Sequence, residues 1–441
     1  MSNKTLLNNV FTQLLKEITP QKLIADSCQL DGHKFSVLDQ TYDLNEYKNV
    51  YLLGSGKAVI PMALEVEKLL KPILNGTLII GPYDTEETFE NGTYMQSTHP
   101  LPSQKSVDAA RALQEMLQSL DKEDLFIYLL SGGSSALVEL PEDKITLNEF
   151  QEVTELMLHS GMPIEKMNSV RKHLSQVKGG KLAQLTKAKG VVLVLSDVIG
   201  DDLYAIGSAP FYCDQTSFKD AEDALKAYGI FEKMPQSIQT FFKEGKAGIH
   251  AETRKIPYEH IDHHILGSNR VALEKVQQLL QKEGTDASIV DEPLQGDTKE
   301  IAKKLLKFAH SHQEEVTTHA YIFGGEATVV VKGNGKGGRN QHLCLHMLTY
   351  CDFSCDITFL SAATDGVDGN SNAAGAIISI HSLVDAKVRN IDPQHYLESF
   401  DSNSFFEQTG ELLITGPTHN NLLDIMIMLI EPNPTERETN G

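Results

Sequence analysis

The sequence predicts an α/β protein of two domains: an N-terminal Rossmann-like domain with a doubly wound, mostly parallel sheet, and a C-terminal mixed α/β domain. The chain has 441 residues, which is more than one hydrophobic core usually supports. Short apolar runs alternate with helical periodicity through the first half, and a polar, less regular stretch follows at 219–259. We therefore expect domains at 1–240 and 255–430, and a disordered tail at 431–441.

The first half contains four short strands that are apolar on both faces. They are Asn49–Leu53, Thr77–Pro82, Leu125–Leu130 and Val191–Ser196, and helical stretches separate them. Strands without a polar face are typical of a parallel sheet that helices cover on both sides. Ligands of such sheets bind at the carboxyl ends of the strands, so the loops that follow these strands are candidate sites.

The second half predicts a mixture of strands and helices. We expect a strand, a loop and a helix across 263–280, and paired strands around Gly324–Gly325. Further strands are expected at 356–366 and 374–380, and residues 411–430 predict a strand, a turn and an apolar helix. These elements make up the predicted C-terminal domain.

Charge and cysteine content exclude several classes of partner. The formal net charge of −21 repels nucleic acid and anionic membranes, so any phosphate site must be a local basic island. The N-terminus shows no signal peptide, and no apolar run reaches the roughly 20 residues that span a bilayer. The five cysteines contain no CxxC pair, and the half-site formed by Cys351 and Cys355 has no second half. We therefore expect reduced thiols in a cytoplasmic protein.

Glycine-rich loops follow three of the predicted strands. They are GSGKA at Gly54–Ala58, SGGSSA at Ser131–Ala136 and SDVIGDD at Ser196–Asp202. Backbone N–H groups of such loops can form an anion cradle, because glycine lets the backbone approach an anion closely. Lys57 adds a point charge suited to phosphate or carboxylate. The alternative is a tight turn with a solvated lysine.

Neither of the first two loops matches a better-known motif. GSGKA lacks the GxxxxGK[ST] pattern of a Walker A loop, and Val59 stands where a dinucleotide fingerprint needs its third glycine. SGGSSA misses the G-x-S-x-G pattern, so Ser134 is not predicted to be a nucleophile.

A cationic stretch, NSVRKHLSQVKGG, lies between the glycine loops. Its polar residues Asn168, Arg171, Ser175 and Lys178 are spaced so that they would share one face of a helix. Two cations and two polar groups on one stripe could clamp a carboxylate or a phosphate. A solvated helix face is the alternative.

The second half repeats the combination of glycine and charge. Three motifs combine glycines with charged residues: GGE at Gly324–Glu326, GKGGRNQ at Gly335–Gln341 and ATDGVDG at Ala363–Gly369. The planar fork of Arg339 fits bidentate binding of an oxyanion, and a salt bridge within the domain is its alternative role.

Acidic residues at strand ends form the candidate metal set. They are Asp197, Asp201, Asp202, Glu326, Asp365 and Asp368, and the predicted metal ligands among them are Asp197, Asp202, Glu326 and Asp365. Mg²⁺ binds through one or two carboxylates together with substrate phosphates, which suits these positions. Each acid alone could instead cap a helix or a turn.

Together these motifs resemble those of the class II glycerate kinases, also called glycerate 2-kinases or the MOFRL family. The resemblance covers nearly the whole chain, from Leu53 to Asp424, and its motifs follow the family's order. They are GSGKAVIPMA, THPLPSQKS, LLSGGSSAL, NSVRKHLSQVKGGKLA, LSDVIGDDLYAIGSAPF, GGEATVVVKGNGKGGRNQ, AATDGVDG and ITGPT. The resemblance implies an ATP- and Mg²⁺-dependent kinase that converts D-glycerate to 2-phosphoglycerate.

The resemblance also implies roles for residues at matching positions. Lys57, Arg339 and Asp197 are expected to be catalytic. Residues expected to bind the substrate are Ser131, Gly132, Gly133, Ser134, Asn168, Arg171 and Lys178. Residues expected to contact ATP are Gly54, Ser55, Gly56, Gly325, Gly337, Gly338 and Asn340. Magnesium is expected at Asp197, Asp202, Glu326 and Asp365. Asp197, with Asp202 or Glu326, could instead accept the hydroxyl proton of glycerate.

The sequence departs from the family pattern at several positions. Ala209 replaces a usual glycine, Asn372 replaces a usual aspartate, and His419 and Asn420 stand in THNN where the family has TGTN. Two alternatives stay open, an NAD(P)H-dependent hydroxypyruvate reductase and a non-catalytic sensor of sugar phosphates. The oligomeric state is expected to be a monomer or a homodimer.

Overall fold

The structure, a computed structural model, describes residues 2–89, 91–312, 317–351 and 356–432. Cys355 of the cysteine half-site and all but the first two residues of the predicted tail at 431–441 lie outside the described residues. Within these ranges no helix is long and apolar enough to cross a membrane.

The elements are numbered in chain order. The helices are α1 Asn3–Glu17, α2 Pro20–Ser27, α3 Val59–Leu70, α4 Gln104–Ser119, α5 Ser134–Leu137, α6 Leu147–His159, α7 Ile164–Leu174, α8 Phe218–Ala227, α9 Gln236–Lys246, α10 Asn269–Lys282, α11 Thr298–Ser311, α12 Arg339–Tyr350, α13 Ile380–Val388, α14 Pro393–Glu398 and α15 Ser402–Thr409. The strands are β1 Cys28–Asp31, β2 Lys34–Val37, β3 Gln40–Asp43, β4 Asn49–Ser55, β5 Leu74–Gly81, β6 Gly92–Gln96, β7 Asp124–Leu130, β8 Lys189–Leu195, β9 Ile261–Gly267, β10 Asp286–Ile289, β11 Leu294–Asp297, β12 His319–Thr328, β13 Asp356–Ala363, β14 Gly375–Ser379, β15 Leu412–Leu413 and β16 Asp424–Glu431.

The chain forms two compact units. The central unit is Leu23–Leu266, and the terminal unit combines Met1–Lys22 with Gly267–Gly441. Helix α1 belongs to the terminal unit because its apolar face packs on α10, β13 and β14. Local periodicity predicts that a helix has a buried face, but it does not tell which sheet the helix covers. The boundaries 1–240 and 255–430 stay a prediction about domains.

A six-stranded sheet forms the centre of the central unit. Its strand order is β6-β5-β4-β7-β8-β9, and the first five strands are parallel to their neighbours. Every residue of β7 is buried, as expected of a strand that is covered on both faces. The predicted parallel sheet is confirmed, and the three glycine loops follow β4, β7 and β8, which are adjacent in it.

The terminal unit contains a mixed sheet in the order β10-β12-β16-β13-β14-β15, and β11 also pairs with β12. Strands β10 and β11 are parallel to β12, whereas the pairs from β12 through β15 are antiparallel. Helices α11 and α12 pack on this sheet around a core of buried apolar side chains. The fold class predicted from the sequence, a parallel sheet and a mixed α/β part, is confirmed.

Two predicted elements of the terminal unit are wrong. Residues 424–430 form strand β16 instead of an apolar helix, and β16 lies between β12 and β13. The run of six apolar residues between Asp424 and Glu431 can form either element, and here burial on both faces of the sheet decides the outcome. The predicted strand pair around Gly324–Gly325 is one strand, β12, which runs through both glycines.

Candidate functional site

The first two glycine loops of the central unit contact each other directly. The backbone N–H of Lys57 donates to the carbonyl oxygen of Gly132 at 2.9 Å, and that of Ala58 donates to Ser131 Oγ at 3.1 Å. Gly56 has φ +143°, and a Cβ atom there would lie 2.0 Å from Ser131 Oγ. Strands β4 and β7 are neighbours, so their carboxyl ends bring these loops together. We call residues 54–58 and 131–134 the cradle.

Three buried hydroxyl groups support the cradle from below. Ser55 Oγ lies 2.5 Å from Tyr128 Oη and 2.5 Å from Ser134 Oγ. All three side chains are buried, so the hydroxyls of Ser55 and Ser134 satisfy each other within the core. Both serines were predicted to contact ligand, and the structure places their side chains in the supporting layer.

Three ionisable side chains surround Gly132 and Gly133 of the cradle. A Cβ atom on Gly132 would lie 2.1 Å from Asp197 Oδ2. A Cβ atom on Gly133 would lie 3.0 Å from Lys57 Cγ and 3.1 Å from His99 Cδ2. The structure therefore brings Lys57 and Asp197 together as predicted, and adds His99, to which the sequence analysis gave no role.

These three side chains make no ion pair or side-chain hydrogen bond with the described residues of their own unit. Burial raises the pKa of Asp197, and its own backbone N–H and the Lys57 ammonium act in the opposite direction. Lys57 is only partly exposed. A partly buried charge without a partner is costly, so a site that retains one is a candidate for binding an ion of opposite charge.

The loop after β8 carries further predicted residues. Asp202 Oδ1 accepts a hydrogen bond from the backbone N–H of Tyr204 at 2.8 Å, which makes it a turn cap. Ala209 has φ +57° and ψ +60°, a left-handed conformation that explains why glycine is usual there. Asn168 Oδ1 accepts from Ser208 Oγ at 3.3 Å, so helix α7 contacts this loop.

The predicted cationic stripe is wrong in its geometry. Helix α7 ends at Leu174, and Ser175 is extended, so Lys178 lies beyond the helix that carries Arg171. Lys178 Nζ pairs with Glu139 Oε2 at 2.5 Å, and both side chains are buried. Burial lowers the pKa of Lys178, and the Glu139 carboxylate opposes this effect.

Arg171 behaves differently from Lys178. Its guanidinium is partly buried and makes no hydrogen bond with the described part of the central unit. Burial lowers the pKa of Arg171, and the carboxylate of Glu139 raises it. Glu139 Oε1 is itself buried without a hydrogen-bond partner among the described residues. Of the two predicted cations, Arg171 is therefore the one available to a ligand.

Arg339 of the terminal unit is held by two carboxylates. Its Nε and Nη2 atoms donate to Asp424 Oδ2 and Oδ1 at 2.6 and 2.9 Å. Its Nη1 atom lies 2.9 Å from Glu326 Oε1. Asp424, at the start of β16, is fully buried and was missed from the sequence, because an aspartate before an apolar run carries no local signal. Glu326, which was predicted to bind metal, forms an ion pair with Arg339.

A second buried aspartate holds the start of α12. Asp368 accepts hydrogen bonds from the backbone N–H groups of Asn340 and Gln341 at 3.0 and 2.8 Å. Burial raises the pKa of Asp368 to about 6, although these hydrogen bonds oppose the shift. Asn340 is fully buried, and its Oδ1 accepts from Ser361 Oγ at 2.6 Å. The side chain of Asn340 is therefore internal and not a surface contact.

The glycines predicted to contact ATP each have a reason to be glycine within their own unit. The distances from an added Cβ atom to the nearest neighbour are 2.7 Å at Gly54 to Val59, 2.1 Å at Gly325 to Leu294, 2.4 Å at Gly337 to Ser402 and 2.3 Å at Gly338 to Asp368. Close backbone packing thus requires these glycines whether or not a nucleotide binds.

The predicted metal residues are divided between the two units, with Asp197 and Asp202 in the central unit and Glu326 and Asp365 in the terminal unit. No group of three or more His, Cys, Asp or Glu side chains that could hold a metal ion occurs in the part of the chain that the structure describes. Asp365 Oδ1 accepts from the backbone N–H of Val367 at 3.0 Å, as in a turn. Of these four residues, Asp197 is the one whose carboxylate neither caps a turn nor pairs with a cation among the described residues. One carboxylate together with phosphate oxygens is a donor set that Mg²⁺ accepts.

Comparison with known proteins identifies the family. Residues 6–243 match the family described as a domain of unknown function (DUF4147), and residues 319–424 match the MOFRL family. A D-glycerate 2-kinase from Thermotoga maritima is 37% identical over 86% of this chain and 90% of its own. A glycerate 2-kinase from Pyrococcus horikoshii is 32% identical over 95% of each chain. A relative from Agrobacterium vitis, 33% identical over 86% of each chain, is named as a hydroxypyruvate reductase.

A solved structure shows the same fold. The crystal structure of a glycerate kinase from Thermotoga maritima matches 97% of this chain and 99% of its own, with a TM-score of 0.84 and 31% sequence identity. The family matches cover both halves of the chain, and the related kinases cover nearly all of it. The chain is therefore a member of the glycerate 2-kinase (MOFRL) family.

Proposed function

We propose that this protein is a kinase that transfers the γ-phosphoryl group of ATP to the 2-hydroxyl group of D-glycerate. Membership of the family supports the reaction class. The geometry of the cradle supports its assignment as the site of phosphoryl transfer. Lys57 and Asp197 flank Gly132–Gly133 at the carboxyl ends of adjacent parallel strands, and neither side chain has an ion-pair partner in the described central unit. Phosphoryl transfer depends mainly on positioning and on neutralising charge, which such groups provide.

Lys57 and Arg171 would supply the positive charge of the central unit. A lysine ammonium neutralises charge that develops on a transferred phosphoryl group, and it is worth most in a partly buried site. Arg171 offers a planar guanidinium that fits the carboxylate of D-glycerate in a bidentate way. The predicted role of Lys178 becomes indirect, because its ammonium is paired with Glu139 and holds the loop that follows α7.

Arg339 keeps part of its binding capacity. An arginine has five N–H donors, and the contacts to Asp424 and Glu326 use three of them. The remaining two could bind a phosphate oxygen of the nucleotide while Asp424 fixes the plane of the guanidinium. This assignment keeps the predicted catalytic role of Arg339.

Asp197 would hold Mg²⁺, and the ion would neutralise charge on the phosphates of ATP. The cradle glycines and the loops at Gly325, Gly337 and Gly338 stay proposed contacts of the nucleotide. We also propose that the enzyme works in the cytoplasm, where ATP is available.

Product analysis tests the function directly. The protein is incubated with ATP, Mg²⁺ and D-glycerate, and the product is identified by phosphorus NMR. We expect 2-phosphoglycerate, and no product when EDTA removes the metal. Formation of 3-phosphoglycerate would contradict the regiochemistry, and absence of any phosphorylated acid would contradict the kinase.

The same preparation tests the two alternatives. A reductase would oxidise NADH or NADPH with hydroxypyruvate, which absorbance of the nicotinamide reports. A sensor would bind 2-phosphoglycerate, seen as a thermal shift, without releasing ADP from ATP and glycerate. Either result would replace the kinase proposal.

A further inference from the structure

His99 lies beside the cradle in a position that the proposed reaction has not yet used. Its Cδ2 atom is 3.1 Å from the place where a Gly133 Cβ would be, and Lys57 Cγ is 3.0 Å from the same place. The histidine and the lysine therefore flank one α-carbon of the cradle. His99 follows β6, the edge strand next to β5, and thus comes from a different segment than the lysine.

The ring nitrogens of His99 are available. The residue is partly exposed, and neither nitrogen forms a hydrogen bond with the described residues of the central unit. Other histidines of the unit have such bonds, since His173 contacts the carbonyl of Ser169 and Glu252, and His264 contacts Tyr42. A histidine beside an unpaired lysine and a glycine cradle is therefore free to contact a ligand that binds there.

We propose that His99 is a further catalytic residue, which accepts the proton of the glycerate hydroxyl group during phosphoryl transfer. The inference rests on the proposed kinase function. In the step, the hydroxyl oxygen forms a bond to the γ-phosphorus of ATP. The bond from that phosphorus to the bridging oxygen breaks, and its electron pair leaves with ADP. The hydroxyl proton moves to a ring nitrogen of His99, which returns it to solvent.

The charges around the cradle favour His99 over Asp197 as the proton acceptor. A neutral imidazole adds no negative charge beside the triphosphate, whereas a carboxylate base would repel it. Partial burial, and then the Lys57 ammonium, lower the pKa of His99 to about 4, so the ring is neutral near pH 7. An anion bound at Lys57 would cancel the second of these effects, which makes the ring a stronger base when substrate is present.

Two substitutions at His99 test the proposal, with His159→Ala as the matched control. His159 is an exposed histidine at the end of α6 in the same unit. For His99→Ala we expect kcat with ATP, Mg²⁺ and D-glycerate to fall about 100-fold, because general base catalysis contributes on this scale. The KM for D-glycerate should change little, and His99→Asn, which keeps the polarity but is not basic, should not restore kcat.

Several outcomes would overturn the inference. They are a wild-type kcat for His99→Ala, recovery of kcat in His99→Asn, or a loss confined to KM. Circular dichroism and the thermal midpoint of each variant confirm that the fold is retained. A wild-type protein that does not phosphorylate glycerate would contradict the proposed function itself, so the two failures are distinguishable.

Discussion

The cradle of the central unit and the arginine site of the terminal unit use the same kinds of residues in opposite ways. At the cradle, Lys57 and Asp197 lie close together without an ion pair in the described central unit. In the terminal unit, Arg339 is held by the buried Asp424 and by Glu326. Removing an unpaired charge leaves no partner uncompensated, whereas removing one member of a buried ion pair does. Substitutions at the cradle should therefore change mainly activity, and substitutions around Arg339 should change stability.

The largest effect is expected at Lys57. Lys57→Ala should lower kcat about 10³-fold, on the scale of removing a preorganised charge from a phosphoryl-transfer site. Its free energy of unfolding should stay near the wild-type value, because no partner loses its charge. Turnover measured by ADP release, together with thermal unfolding, checks both parts. Lys48→Ala, at an exposed lysine of the same unit, is the control. A fully active Lys57→Ala enzyme would remove the central assignment.

A stability effect is expected at Asp424. Asp424→Asn should lower the free energy of unfolding of the terminal unit by about 3 kcal/mol, because it leaves the guanidinium of Arg339 without its buried charge partner. The control is Asp291→Asn, which breaks the exposed ion pair with Arg270 in the same unit. Denaturant unfolding compares the two variants. Equally small decreases in the free energy of unfolding of the two variants would show that the buried pair stabilises the unit no more than an exposed ion pair does.

Acid should weaken the helix that carries Arg339. His342 of α12 is buried and stacks on Phe400, and burial lowers its pKa from 6.5 to about 4. The unfolded chain therefore takes up this proton first, and stability falls as the pH drops from about 6.5 to 4. Between pH 7 and 5 this histidine should account for a loss of about 2 kcal/mol.

The variant His342→Gln should lack this part of the pH dependence, and His381→Gln, at an exposed histidine of α13, should retain it. Denaturant unfolding gives the free energies, and hydrogen exchange of peptides covering α12 locates the change. An identical dependence on pH in wild-type and His342→Gln proteins would refute the assignment.

The smallest effect concerns backbone strain beside the cradle. Ala209→Gly should raise the free energy of unfolding by about 1 kcal/mol, because a left-handed conformation costs an alanine about that much more than a glycine. The control Ala227→Gly, at the exposed end of α8, should lower it instead. Thermal unfolding reports the sign of each change. A destabilised Ala209→Gly protein would mean that the methyl group contributes packing that outweighs the strain.

The sequence predicted the central unit better than the terminal one, for a physical reason. Strands β4, β5, β7 and β8 are apolar on both faces, and glycine loops follow β4, β7 and β8, so the local sequence indicates each of these strands. The place of β16 between two other strands depends on distant residues, and so its apolar run was mistaken for a helix. The short antiparallel sheet β1-β2-β3 was not predicted at all.

The candidate site divides in the same way. The positions of the motifs after predicted parallel strands were enough to predict that Lys57, Gly132 and Asp197 lie close together. The partners of Lys178 and Arg339 could not be predicted, because Glu139 and Asp424 lie 39 and 85 residues away in the chain. Local spacing does not reveal such pairs, and they decide which cations remain free for a ligand.

The position of β16 has a consequence for biosynthesis. Helix α1 leaves the ribosome long before β13 and β14, on which it packs. These strands belong to a sheet that is incomplete until residues 424–431 emerge. At about 5–20 residues per second, the nascent helix waits on the order of a minute for its partners. We expect a translation intermediate stalled before residue 424 to expose α1 to protease while the sheet of the central unit is already protected.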